Sequence, residues 1–187
     1  PKTTLPDDND TRLIAYIISQ VQNNLLHRQP LYFGTYFAPY ENTLTYSDLF
    51  ATTAILTLPL RFITSHPILI FNAALILNFF LTLLTSYLLF RYLFGDEWLS
   101  LFLTILFNLS GFHLTYLPHL HIFSLWPIFL SLYLFLRYQN ENKNIFLFLF
   151  FGSVTAQVLE SIFPVYLIFF STLIIFFTNC KQLIIHH

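Results

Sequence analysis

Residues 67–94 read PILIFNAALILNFFLTLLTSYLLFRYLF, and this stretch decides the fold. From Pro67 to Phe90 no side chain carries a charge; the first is Arg91. An α-helix needs about 20 apolar residues to cross a hydrocarbon layer about 30 Å thick, so this run is long enough to span with some tilt. Leu, Ile and Phe occupy every side of the helix, whereas a helix lying on a water-soluble core would show a polar stripe. The rest of the chain agrees. Of 187 residues, 56% are hydrophobic and 9% are charged, against about a quarter charged in a soluble domain. Mean hydropathy is +0.66. So few charges cannot cover a soluble surface, and the composition indicates an integral membrane protein with the lipid bilayer as its main partner; the expected location is the cell inner (plasma) membrane, crossed several times. A net charge of −1 offers no basic surface for nucleic acid. Cys180 is the only cysteine, which excludes an intrachain disulfide and a cysteine zinc cluster. A chain that begins at Pro1 and contains no Met is expected to be a piece of a longer protein.

Working outward, four more apolar runs follow, at 98–117, 121–138, 145–159 and 162–179. Their connections, GDE, PHL, QNENKN and ESIFP, are short, which makes consecutive helices antiparallel neighbours. The expected fold is therefore all-α, a polytopic transmembrane helix bundle, with residues 1–66 as a preceding loop segment with amphipathic or juxtamembrane helices and 67–187 as a bundle of about five helices. Arg91, Arg137, Lys143 and Lys181 fall in alternate connections, so the positive-inside rule puts them on the cytoplasmic side. His119, His121 and Glu160 then face outward.

Before the first long run, residues 11–27 repeat apolar side chains at helical spacing, with Leu13, Ile14, Ile17, Ile18, Val21 and Leu25 on one face. This is an amphipathic juxtamembrane helix, and Asp10 suits its N-cap. Residues 49–64, LFATTAILTLPLRFIT, are ambiguous. Short length and Pro59 favour a surface or re-entrant helix; the positions of Lys2, Arg12 and Arg28 mildly favour a crossing. Between the two lies a loop rich in Tyr and Phe, residues suited to a bilayer interface and also to stacking on a sugar.

Three of the nine acidic residues, Asp7, Asp8 and Asp10, stand together ahead of the amphipathic helix. PDDNDTRLIAYIISQVQNNLL is followed by APYENTLTYSD, by the Pro-interrupted run, by FNLSGFHLTYLPHLHIFSLWPIFLSLYLFLRY and by AQVLESIFPVYLIFF. In this order of features the chain resembles the N-terminal half of bacterial multi-pass glycosyltransferases of the GT-C superfamily. Its layout is similar to that of protein O-mannosyltransferases and aminoarabinose transferases. The resemblance implies a GT-C-like bundle whose first extracytoplasmic loop carries a catalytic Asp and short helices along the membrane, so that 1–48 lie outside and 49–64 do not cross. It implies transfer of a sugar from a polyprenyl-phosphate donor to an extracytoplasmic lipid, glycan or protein. The family pattern is similar to Gly-Asp-x-x-Asp-Thr, which places the catalytic acids at Asp7 and Asp10, followed by Thr11. Pro6 replaces the usual Gly and Asp8 is extra, so either carboxylate remains a candidate for the base.

With that chemistry, one carboxylate takes the acceptor proton. The leaving phosphate departs readily, so the second carboxylate of a glycosidase is not required. Candidate substrate-binding residues are Arg12 and Arg61, which can neutralise the donor phosphate, His119 and His121, which can donate to it, and Glu160 at the end of an apolar helix. No metal site and no cofactor are expected, although three close carboxylates can also hold a divalent cation. The same residues also have ordinary uses: an N-cap, interfacial histidines and exposed cations. The competing reading is a membrane transporter or lipid flippase, for which a helix break at Asn108-Leu109-Ser110-Gly111 is the cue.

Overall fold

The structure, a computed structural model, describes residues 10–36 and 39–185, with side chains through 178. It is built from α-helices: α1 (Asp10–Leu26), α2 (Ala51–Thr57), α3 (Pro67–Phe94), α4 (Glu97–Asn108), α5 (Gly111–Thr115), α6 (Leu120–Phe123), α7 (Trp126–Glu141), α8 (Asn144–Glu160) and α9 (Val165–Ile185). Short 3-10 segments follow at Thr43–Tyr46 and Leu58–Phe62. No strand occurs among the described residues; a single bridge joins Gly34 to Asn42. That bridge needs glycine, because a Cβ on Gly34 would lie 2.7 Å from Thr43 Oγ1.

Three helical stretches are long and apolar enough to cross a membrane: Pro67–Phe94, Glu97–Thr115 and Leu120–Glu141. The second and third are interrupted, at Leu109–Ser110 and at Ser124–Leu125. The fourth and fifth runs read from hydropathy fall short of that length: Asn144–Glu160 is 17 residues, and the described apolar part of the last is Val165–Thr178. α3 is the central post, packed on α1, α4 and α7, while α8 packs on α7 and α2. Chain reversals carry local signals. Gly95 ends α3 at φ 72° and Asn142 ends α7 at φ 50°, the left-handed closures that helix C-termini favour. Asp96 caps α4 by accepting from Leu99 N at 2.6 Å.

Polar side chains face inward where the helices meet. Asn108 donates to Ser86 Oγ at 3.1 Å, joining α4 to α3. Ser131 and Ser153 lie 2.7 Å apart between α7 and α8. Between helices in lipid there is little hydrophobic gain, so small and hydrogen-bonding residues supply the contact. The outward faces of α4, α8 and α9 are Phe, Leu and Ile: Phe102, Phe148 and Phe170 are all exposed.

The N-terminal segment is not a separate layer. One core joins Ile14, Ile17, Ile18 and Val21 of α1 to Phe50 and Ala54, to Ile70, Phe71 and Ala74 of α3, and to Leu120 and Phe123 of α6. The expected apolar face of α1 is therefore rotated. Leu13 and Leu25 are exposed, whereas Gln22 and Asn24 are buried. Gln22 donates to Ala54 O at 3.1 Å and Thr57 Oγ1 at 3.0 Å. Asn24 donates to Leu31 O at 3.1 Å and Phe33 O at 2.7 Å. These bonds compensate for burying the two amides and tie α1 to α2 and to the aromatic loop.

Segment 49–64 forms a short helix with a 3-10 extension, and its polarity is reversed. Thr52, Thr53 and Thr57 are buried, while Ile55, Leu56, Phe62 and Ile63 are exposed.

Candidate functional site

At one end of the bundle the break between the second and third stretches folds into a compact turn, 109–125. Ser110 caps α5 by accepting from His113 N. His113 is buried, stacked between Phe107 (5.5 Å) and Phe123 (4.7 Å). Its two ring nitrogens face Asn108 O at 3.2 Å and Phe123 O at 3.1 Å. His113 therefore fastens the two ends of the turn together, and the residues between them are held against α1 and α2.

Two histidines of this turn meet two carboxylates from distant parts of the chain. His119 Nδ1 lies 3.2 Å from Asp10 Oδ2 in the first turn of α1. His121 Nδ1 lies 3.8 Å from Asp48 Oδ2, within ion-pair reach but too long for a direct hydrogen bond. The two imidazoles are neighbours, with ring centroids 5.9 Å apart. Asp10, Leu13, Ile14, Ser47, Asp48, Phe50 and His121 line a cavity of about 180 Å³. Asp10 and His119 stay partly open to solvent, at 58% and 38% side-chain exposure, so a ligand can reach both.

The backbone that presents Asp48 is strained. Phe50 sits at φ 51°, a left-handed conformation costly for a bulky residue, of order 1–3 kcal/mol. Its ring is buried beside His121 at 6.3 Å. Its N–H donates to Glu160 O at 3.1 Å. Glu160 itself closes the start of α2: Thr53 N donates to Oε2 at 2.8 Å and Thr53 Oγ1 donates to Oε1 at 2.6 Å. The ordinary N-cap position, Phe50, offers no side-chain acceptor, so Glu160, 107 positions after Thr53, does the capping. Burial pushes the Glu160 carboxyl up to about 7, against the lowering effect of both Thr53 bonds. From Thr53 the network continues. Asn78 Nδ2 donates to Thr53 Oγ1 at 3.1 Å. Ser124 Oγ and Trp126 Nε1 donate to Asn78 Oδ1 at 2.6 and 3.0 Å.

The sequence-derived candidates thus separate into groups. Asp10, His119 and His121 come together, and Asp48 joins them. Glu160 lies behind Phe50, fully buried and committed to α2. Arg12 is on another side of α1, in a groove of about 400 Å³ with Ala15, Tyr16, Ser19, Pro67 and Ile68. Arg61 donates to Asn23 Oδ1 at 2.9 Å; Asn23 is 13 residues beyond Asp10, about 20 Å along the helix axis. Asp7 and Asp8 lie outside the described residues. No group of three or more His, Cys, Asp or Glu is arranged to hold a metal ion among the described residues. Asp48 was invisible beforehand, because a single Asp in TYSD has no pattern to mark it; its proximity to His121 is purely tertiary.

Other residues of the same turn are apolar. Leu75, Ile76, Phe79 and Phe80 of α3, with Leu114, Leu117 and Phe123, line an open groove of about 430 Å³. Asn72 is its one polar lining residue. Turn 109–125 therefore supplies His119 and His121 to a His/Asp cluster and Leu114, Leu117 and Phe123 to a groove fit for hydrocarbon. The chain matches no protein-family model, no curated protein and no solved structure.

Proposed function

We propose that this chain is part of a membrane glycosyltransferase of GT-C-like architecture that moves a sugar from a polyprenyl-phosphate donor to an extracytoplasmic acceptor. The observation that carries the reading is the meeting of Asp10 with His119, beside an apolar groove built on the same turn. An amphiphilic donor needs a polar site for its phosphate and sugar next to a surface for its isoprenoid chain. A carboxylate placed there serves as base toward an acceptor hydroxyl. The cluster keeps its solvent access, as an acceptor arriving from outside the membrane requires. Asp7 and Asp10 are the proposed catalytic acids, and His119 and His121 the phosphate-facing pair.

The test is transfer of labelled sugar from a polyprenyl-phosphate donor by membranes containing the full-length protein. Asp10→Asn is expected to lower transfer by about 10²–10⁴-fold, the usual cost of losing a general base, with membrane-inserted protein unchanged. Asp8→Asn is expected to be mild. Near-normal transfer by both Asp7→Asn and Asp10→Asn would remove the catalytic reading. Movement of the lipid across the bilayer without sugar transfer would favour the flippase alternative instead.

A further inference from the structure

His113 faces two acceptors. Nδ1 lies 3.2 Å from Asn108 O and Nε2 lies 3.1 Å from Phe123 O. A carbonyl oxygen has no proton to give. A neutral imidazole has one N–H and one bare nitrogen, so in either tautomer one of these contacts sets lone pair against lone pair. Only the imidazolium donates from both nitrogens. The residue is 1% exposed, which leaves a bare nitrogen no access to bulk solvent.

Burial alone disfavours a charge, but the surroundings compensate. Asn108 is the last residue of α4, and a helix C-terminus concentrates partial negative charge on its free carbonyls. Phe107 and Phe123 stack on the ring at 5.5 and 4.7 Å, and an aromatic face attracts a cation within about 6 Å. α4 and α6 thus present Phe107, Asn108 and Phe123, while α3 and α7 stand behind those rings with Phe79 and Phe129. No carboxylate pairs with His113 among the described residues; the other two histidines of the turn face Asp10 and Asp48.

We infer that His113 sits in the closed turn as an imidazolium donating from both ring nitrogens, and that this second proton makes it the positioning residue for His119 and His121. Those two histidines stand between the ends that His113 fastens, Asn108 and Phe123. Loss of the proton leaves one carbonyl facing a lone pair and releases that end of the turn. His119 and His121 then lose the anchor that holds them near Asp10 and Asp48. His113 touches no ligand, and it acts in this way whatever the cluster binds.

The experiment uses the full-length protein in nanodiscs with isotope-labelled histidine, read by nitrogen NMR. The His113 signals are those absent from His113→Gln; Phe107→Leu identifies the same signals by shifting them, without removing either carbonyl. Two protonated ring nitrogens are expected at about pH 7. One protonated and one bare nitrogen overturn the imidazolium. Hydrogen exchange then reads the turn itself, through the bonded amides of His119, Ile122 and Ser124, after correction for the intrinsic effect of pH on exchange. In the natural protein their protection is expected to be greatest near about pH 5 and to fall about tenfold or more by about pH 9, the scale of one charge-assisted hydrogen bond. In His113→Gln, which has no proton to lose there, that fall is expected to be absent, apart from a response shared by both proteins that belongs to His119, His121 and Glu160. An equal fall in both proteins overturns the positioning role.

Discussion

At the scale of single residues, Glu160 has the sharpest consequences. Its carboxylate accepts from both donor groups of Thr53, and truncation leaves those donors buried without a partner, at about 1–3 kcal/mol. Glu160→Ala is expected to lower the unfolding midpoint in detergent clearly, and Glu160→Gln less, since an amide oxygen still accepts. The pH dependence follows from its position at the end of α8, outside the three long stretches. Burial raises the folded value to about 7 from an ordinary 4.5. Folding therefore favours the protonated form, and this contribution is complete below about pH 4.5 and is lost as pH rises through 7. The thermal midpoint of the natural protein relative to Glu160→Gln should fall between pH 5 and pH 8. An unchanged difference would remove the linkage. None of this was legible beforehand. The sequence marked Glu160 as an ionisable group at a membrane edge and as a substrate contact, but its partner lies 107 residues away, and local pattern carries no such information. His119 and His121 were legible as neighbours because both stand in the short connection between two apolar runs.

At the scale of elements, apolar run length worked well for α3, and face assignment worked poorly for α1 and α2. A helical wheel assumes water on one side and an apolar core on the other. Beside a membrane that assumption fails, so α2 buries Thr52, Thr53 and Thr57 and exposes Ile55 and Leu56. Gln22 and Asn24 likewise turn inward on α1 to meet backbone carbonyls. What joins the elements is Asn78, which links α3 to α2 and to the start of α7. Asn78→Leu keeps volume but strands the donors of Ser124 and Trp126, each buried polar group costing about 1–3 kcal/mol. The expected outcome is a lower detergent midpoint and, for a probe at Trp126, red-shifted emission as its indole loses its packed site. An unchanged Trp126 spectrum would show that the network does not hold α7 in place.

For the whole molecule, the glycosyltransferase proposal requires the His/Asp cluster to lie outside and Arg137 and Lys143 inside. Tyr40 is 69% exposed in the aromatic loop and is a better reporter than the fully buried Thr43. In a Cys180→Ser background, Tyr40→Cys is expected to react with an impermeant thiol reagent in intact cells. Asn142→Cys, in the connection between α7 and α8, should react only after permeabilisation. Labelling of Asn142→Cys alone in intact cells would reverse the orientation and place the cluster in the cytoplasm.

The long-range cap on α2 also sets an order of events during synthesis. At about 5–20 residues per second, the chain needs several seconds to travel from Thr53 to Glu160. Through that interval α2 has been made but lacks the carboxylate that completes its first turn, and Phe50 has no reason to hold its left-handed backbone. The pocket end of the protein thus sets only once α8 has been made, although α1 and α2 precede α8 in the chain. Nascent chains arrested with residue 140 as the last residue outside the ribosome should be cut by protease near Ser47–Phe50, and chains arrested beyond residue 175 should resist. Equal resistance at both lengths would mean that the outer end sets without waiting for α8.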